Sequence, residues 1–183
     1  MDYQLIILLI STIILIVLSW RSLRHPDYHG FYRFFAWELI IVQISIALPG
    51  WFKEPCGWHQ LISWFILLLS LPVLYQAVSG LKQMGGERIR RASNQNYNFE
   101  NTTELVTRGI YAWIRHPMYC SLLLLSWGVF FKNPSLWGII LVMLASLCLY
   151  ATARIEEKEN ITTFGTAYLE YMKNSKMFIP YLF

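Results

Sequence analysis

Residues 133–153 read NPSLWGIILVMLASLCLYATA, twenty-one residues without one Asp, Glu, Lys or Arg. As a helix rising 1.5 Å per residue this stretch is about 30 Å long, the thickness of a bilayer's hydrocarbon core. Two more runs are equally free of charge, the eighteen residues Tyr3–Trp20 and the twenty-seven residues Pro55–Leu81. A length of 183 residues would suit one soluble domain, but 56% of them are hydrophobic and 14% charged, against about 25% charged in soluble domains. The expected class is therefore an integral membrane protein.

Working outward from 133, Asn133-Pro134 forms a tight turn, and a sixteen-residue apolar run, His116–Phe131, precedes it. That run is short for a span, about 24 Å. Phe34–Phe52 is apolar except for Glu38 and Gln43. The reading is an all-α polytopic fold in a single membrane domain, 1–183, with five transmembrane helices at about 3–20, 34–52, 58–80, 116–131 and 134–153. The tail IEEKENITTFGTAYLEYMKN places Ile161, Phe164, Tyr168 and Tyr171 on one helical face. It is expected to form a C-terminal amphipathic helix along the membrane surface or over a site. The first run begins Met1-Asp2-Tyr3 and leads into Trp20-Arg21-Ser22-Leu23-Arg24. With no basic start and no small-residue cleavage site, it reads as a retained span rather than a signal peptide.

Charge placement tests this count. Five spans put the loops 21–33 and 81–115 and the C-terminal tail on one side, with thirteen of the fifteen Lys and Arg. Lys53 and Lys132 fall on the other. The positive-inside rule then predicts the N-terminus outside, with the long loop and tail cytoplasmic. On that side the acceptor-like triplets Asn101-Thr102-Thr103 and Asn160-Ile161-Thr162 meet no glycosylation machinery. The basic residues lie in loops, so the net charge of +4 does not argue for nucleic acid. Arg88, Arg90 and Arg91 suit anionic headgroups. Gly85-Gly86 lacks the strand and further glycines of a dinucleotide fingerprint and reads as a helix stop. Cys56, Cys120 and Cys148 are too scattered for a disulfide framework, and His25, His29 and His59 have no metal-like spacing, so no metal site is expected. Glu38 either lines a cavity or reaches water or Arg33 at the cytoplasmic end. Pro72 should kink the third span.

The chemistry concentrates in Arg115-His116-Pro117-Met118-Tyr119. Proline suits the first helical position and extends the residue before it, so the fourth span should start at Pro117 with His116 as its cap. The first-turn amides of Met118, Tyr119 and Cys120 then lack helical partners and, with the histidine, make an anion site. Glu156 and Glu157 follow the fifth span, and the short turn between spans four and five makes them neighbours of that start. At a helix C-terminus such carboxylates need a cation. Anion and cation sites ringed by Tyr111, Trp113 and Tyr119 suit S-adenosylmethionine, which carries a carboxylate, an ammonium, a sulfonium and an adenine.

The run Leu105-Val106-x-x-Gly109-x-Tyr111-x-x-x-Arg115-His116-Pro117-x-Tyr119, then Glu156-Glu157, then Phe164-Gly165-x-x-Tyr168-x-x-Tyr171 resembles the isoprenylcysteine carboxyl methyltransferase family. The likeness covers about the last two-fifths of the chain. It implies a membrane methyltransferase that uses S-adenosylmethionine, with a cofactor-binding part at about 103–171. By the same resemblance Thr103, Glu104, Leu105, Val106, Tyr111, His116, Pro117, Met118, Tyr119 and Glu156 line the cofactor pocket. The acceptor it implies is lipophilic, such as the carboxylate of a prenylcysteine. The family's substrate-binding arginine, four residues before the first glutamate, is Thr152 here; Arg154, about 200° around a helix from it, is the remaining candidate for a substrate contact. No catalytic residue is assigned. An ionised carboxylate acceptor needs proximity alone, whereas an amine, phenol or thiol needs a base, for which Glu157 and His116 are the candidates. Membrane sterol reductases using NADPH share Arg-His-Pro-x-Tyr, but paired carboxylates would repel a dinucleotide's phosphates. A non-catalytic membrane binding protein on the same scaffold is the third reading.

Overall fold

The computed structural model describes residues 3–85 and 103–181. Its regular elements are six α-helices: α1 Tyr3–Leu23, α2 His29–Ala47, α3 Trp58–Met84, α4 Pro117–Phe130, α5 Leu136–Phe164 and α6 Thr166–Asn174. Two 3₁₀ turns, Leu48–Gly50 and Gly109–Ala112, complete them, and the sole β feature among the described residues is an isolated bridge between Ile114 and Lys176. The fold is all-α and built for a membrane. α1, α2 with its 3₁₀ extension, α3 and α5 are each long and apolar enough to cross one. α4 has 14 residues, or about 21 Å, and falls short by length.

Local chemistry sets the ends. Ser135 caps α5 by accepting a hydrogen bond from the Gly138 amide at 3.0 Å. α4 opens at Pro117 with His116 in the cap position, as the dipeptide predicts, though the imidazole makes no capping bond. α5 ends at Gly165, whose φ of +59° and ψ of −132° suit glycine alone. Three expectations are corrected here. Helix α5 does not stop near residue 153 but runs on to Phe164, so Glu156 and Glu157 lie inside it and the helix-end argument for them fails. The tail is likewise two helices, the end of α5 and the nine-residue α6, separated by Gly165 rather than continuous. At the start of α2, His29 and Arg33 are helical and buried instead of loop residues.

α1 packs on α2 and α3 on α4, while α5 packs against both α2 and its own hairpin partner α4, which also meet each other. Ala36, Ala145 and Ala153 are fully buried at this junction and let backbones approach closely. They share one core with Ile40, Leu122, Leu149 and Tyr119. Between α3 and α4 the close approach is at Gly128, whose carbonyl accepts from Ser63 Oγ at 2.7 Å. A Cβ there would lie 2.7 Å from Leu67 Cδ2.

Several polar side chains inside the bundle tie one helix to another. Gln43 donates to Ser126 Oγ at 2.9 Å, tying α2 to α4. Glu38 accepts from Thr12 Oγ1 at 2.6 Å, which joins α1 to α2. At the loop end between α4 and α5, Lys132 is 1% exposed. Its Nζ donates to Gln60 Oε1 at 2.9 Å and sits 3.3 Å over the Trp64 ring. At the opposite end Glu159 of α5 accepts from the backbone amide of His29 at 3.0 Å and lies 2.8 Å from its Nδ1. These contacts fix α5, and with it the glutamates, against α2. The basic run Arg88, Arg90 and Arg91 lies outside the described residues.

Candidate functional site

At the end of the bundle where α3 and α5 finish and α4 begins, a cavity of about 80 Å³ opens. Its wall holds Leu105, Val106, Tyr111, His116, Pro117, Met118, Tyr119 and Glu156. Eight of the ten residues expected at a cofactor pocket therefore meet in one place. Thr103 and Glu104 are exposed and do not line it; their amides donate to the Gly85 carbonyl at 3.0 and 3.2 Å, beside the end of α3. Trp113 is exposed and packs edge-on with Tyr181, away from the cavity. Arg154 is also outside it, 54% exposed with Nη1 3.8 Å from Glu157.

Each wall has a cause in the chain. Pro117 starts α4 beneath the cavity, so the amides of Met118 and Tyr119 belong to a first turn with no helical acceptors. Glu156, Asn160 and Phe164 line it at i, i+4 and i+8 along α5. Tyr168 and Tyr171 close it from α6. Tyr171 donates to the Tyr111 carbonyl at 2.7 Å, and Tyr111 donates to the Ala77 carbonyl of α3 at 3.2 Å. Gly80 admits that ring, since a Cβ there would come within 3.2 Å of it. Burial pushes both Tyr168 and Tyr171 phenols well above their ordinary range, so they stay neutral donors.

The two glutamates have different partners. Glu156 accepts from Tyr119 Oη at 2.5 Å and is 29% exposed on the cavity side. Glu157 is 4% exposed, with Oε1 2.8 Å from both Nε and Nη2 of Arg115. Arg115 also donates to the carbonyls of Ser175 and Met172. The imidazole of His116 lies between the carboxylates, Nδ1 3.8 Å from Glu156 and Nε2 3.6 Å from Glu157. Both separations are too long for hydrogen bonds, and Nε2 is buried without a partner. An orphaned buried nitrogen in a native site calls for a ligand or a chemical role.

A short strap holds this histidine. Residues 113–116 and 175–178 run side by side: Lys176 N donates to Trp113 O at 3.0 Å, Arg115 N to Lys176 O at 2.7 Å and His116 N to Met177 O at 3.1 Å. Phe178 then packs on the imidazole at 6.2 Å and is also part of the wall of a second hollow. That hollow is a groove of about 700 Å³ along α3, α4 and α5, lined by Ile66, Cys120, Leu124, Trp127, Leu147 and Tyr150 among others, with no charged residue.

The donor set fits S-adenosylmethionine at one end. Glu156 offers a carboxylate to an ammonium, while His116 Nε2 and the first-turn amides of α4 offer donors to a carboxylate. Arg115, Asn160, Phe164, Tyr168 and Tyr171 join the site beyond the expected set. Asn160 had a usable signal, its i+4 spacing from Glu156, once α5 is known to continue. Among the described residues no cluster of His, Cys, Asp and Glu could hold a metal ion.

Residues 62–167 match the family described as Phospholipid methyltransferase. The chain is 32% identical over 149 residues to a human protein-S-isoprenylcysteine O-methyltransferase, covering 74% of this chain and 50% of that protein. It is 30% identical over 155 residues to the mouse counterpart, with the same coverage. It is 23% identical over 175 residues to the methanethiol S-methyltransferase of Pseudomonas deceptionensis, covering 95% of this chain and 58% of that enzyme. The chain spans about half the length of the curated relatives it matches.

Proposed function

On the premise that the chain belongs to the phospholipid methyltransferase family, we propose that it moves a methyl group from S-adenosylmethionine to a lipophilic acceptor within a membrane. The observation that carries this is the pairing of Glu156 with Tyr119 at one wall of a cavity whose floor is the proline-led start of α4. Glu156 takes the ammonium of the donor; His116 with the amides of Met118 and Tyr119 takes its carboxylate. Leu105, Val106, Tyr111 and Pro117 give the apolar wall. When bound, S-adenosylmethionine supplies an electrophilic methyl group on a sulfonium. The chain's part is to orient it, exclude water and bring the acceptor in line.

The acceptor reaches the cavity through the apolar groove, past Phe178. The printed names of relatives offer an isoprenylcysteine carboxyl group and methanethiol as acceptors of those proteins. In this reading α4 is the fifth crossing, and the bilayer is thinned or its headgroups dip at Pro117. The N-terminus lies outside, and the cavity and C-terminus face the cytoplasm, where thirteen of fifteen Lys and Arg collect. A dinucleotide cofactor is disfavoured, because its phosphates would face Glu156. The test is transfer of tritium from methyl-labelled S-adenosylmethionine into solvent-extractable lipid by the purified protein in lipid nanodiscs. Label in the lipid phase, lost on Glu156→Gln, is expected; absence of any lipid-phase label would overturn the proposal.

A further inference from the structure

Three carboxylates crowd four successive residues of α5: Glu156, Glu157 and Glu159. Like charges this close on a helix repel one another, and each is met by a partner on a different element. Glu156 meets Tyr119 of α4, and Glu157 meets Arg115 of the strap. Glu159 reaches the other way, to the start of α2. Its Oε1 accepts from the backbone amide of His29 at 3.0 Å, and its Oε2 lies 2.8 Å from Nδ1 of the same residue. His29 is 2% exposed, so the clamp is sealed on the α2 side. Asp27 and Lys158 stand beside Glu159 in an open hollow on its other side.

The clamp answers a need at each end. The first amides of α2 have no acceptors in their own helix, and Tyr28 at the cap position makes no side-chain capping bond. Glu159 supplies that bond from 130 positions away. In return it holds the polar end of α5. Residues 154–164 extend about 16 Å beyond the apolar part of that helix. Past Ala153 the one buried residue of α5 is Glu157, so burial does little to set the rotation of this segment. Yet the segment carries Glu156, Asn160 and Phe164 of the cavity wall.

Rotation decides what Glu156 can reach. A carboxylate at the rim of a helix, roughly 5–6 Å from its axis, moves about 1 Å when the helix turns by about 10°. Charge-assisted hydrogen bonds hold at about 2.7–2.9 Å, so a shift of that size loses one. The basic groups facing Glu156 come from two directions, His116 ahead of α4 and the pair His29 and Arg33 of α2. Helix α2 thus meets this carboxylate through its charges and, by way of Glu159, through the placement of α5.

We propose that Glu159 and His29 are positioning residues for the methyl donor: their contact sets the rotation at which Glu156 meets the ammonium of S-adenosylmethionine. The inference rests on the methyltransferase reading above. Glu159 is not among the residues of the cavity wall, so it acts through Glu156 rather than on the donor. His29 lies ahead of residues 62–167, the part that matches the family, so the clamp draws the first half of the chain into the cofactor site.

The experiment is a double-mutant cycle on the full chain in lipid nanodiscs. It is read by equilibrium binding of labelled S-adenosylmethionine well below the thermal midpoint of each variant. Glu159→Ala should weaken binding about tenfold, and by no more than Glu156→Gln does. Added to Glu156→Gln, it should weaken binding by less than about a further twofold, because the two act as one unit. A purely structural role would give the same loss in both backgrounds; that result, or unchanged affinity in Glu159→Ala, overturns the proposal. Glu159→Gln still offers the His29 amide an acceptor and the ring a polar partner, and should bind within about threefold of wild type; a loss equal to that of alanine overturns the proposal. Should Glu159→Ala fail to fold, His29→Ala keeps the amide bond and decides the matter. It should weaken binding about threefold alone and hardly at all beside Glu156→Gln; equal losses, or none, overturn the clamp. Wild-type binding keeps the two readings apart. If the wild type does not bind S-adenosylmethionine, both proposals fall. If it binds and weakens in Glu156→Gln while Glu159→Ala and His29→Ala bind normally, the clamp alone falls.

Discussion

Replacing Glu156 and then Glu157 by glutamine makes the same chemical change at adjacent positions and should give opposite phenotypes. Glu156 is part exposed, bonded to one protein donor, Tyr119, and faces the cavity. A glutamine carbonyl still accepts from Tyr119, so folding should be little affected. What is lost is a charge-assisted bond to the donor's ammonium, typically ~1.5–3 kcal/mol, or roughly 10- to 150-fold in affinity. Glu157 is 4% exposed and holds Arg115, which in turn holds the carbonyls of Ser175 and Met172. Neutralising it leaves a buried guanidinium without its counter-ion, costing a similar ~1.5–3 kcal/mol, now of stability. At roughly 2–4 °C per kcal/mol for a chain of this size, the thermal midpoint should drop by about 3–12 °C. Equilibrium dialysis with labelled S-adenosylmethionine and thermal unfolding in the same detergent read the two effects separately. Normal ligand affinity in Glu156→Gln would refute the assignment of this carboxylate. A destabilised Glu156→Gln beside an unaffected Glu157→Gln would refute the division of labour.

Three further outcomes follow from packing. Gly128→Ala should cost about 1–3 kcal/mol, because its Cβ would meet Leu67 Cδ2 at 2.7 Å across α3 and α4; thermal unfolding in detergent measures it, and an unchanged midpoint would mean the two helices give way freely. Gln60→Leu removes the acceptor of the Lys132 ammonium, which is 1% exposed, and should cost about 2–3 kcal/mol, whereas Lys132→Met should cost less; the opposite order would show the lysine to be held by Trp64 alone. Gly165→Ala forces a side chain into φ +59°, at about 1–2 kcal/mol, and should also weaken ligand binding by displacing Tyr168 and Tyr171; intact binding would detach α6 from the site.

What the sequence made legible was whatever is written locally. Charge-free runs of eighteen to twenty-seven residues announce crossing helices, and Pro117 fixes where α4 begins whatever surrounds it. The end of α5 was hidden because hydropathy marks the exit from apolar surroundings, not the end of hydrogen bonding: Arg154–Phe164 is polar yet stays helical. That continuation is also why Asn160 escaped notice, although it sits one turn beyond Glu156. Contacts distant in the chain leave no local trace. Glu159 meets His29 across 130 positions, and Lys132 meets Gln60 across 72. The strap of 175–178 on 113–116 rests on single-residue bridge geometry rather than on strand alternation. Hence His116 could be read as a cap, but not as a ring held by Phe178 between two carboxylates.

The account turns on which cofactor the cavity beside Glu156 and Tyr119 takes. Binding of radiolabelled S-adenosylmethionine and of NADPH to the purified full-length chain, each with the other as competitor, tests it most directly. Saturable S-adenosylmethionine binding that NADPH leaves in place, and that weakens at least about tenfold in Glu156→Gln, is the predicted result. Saturable NADPH binding that S-adenosylmethionine fails to displace would contradict it.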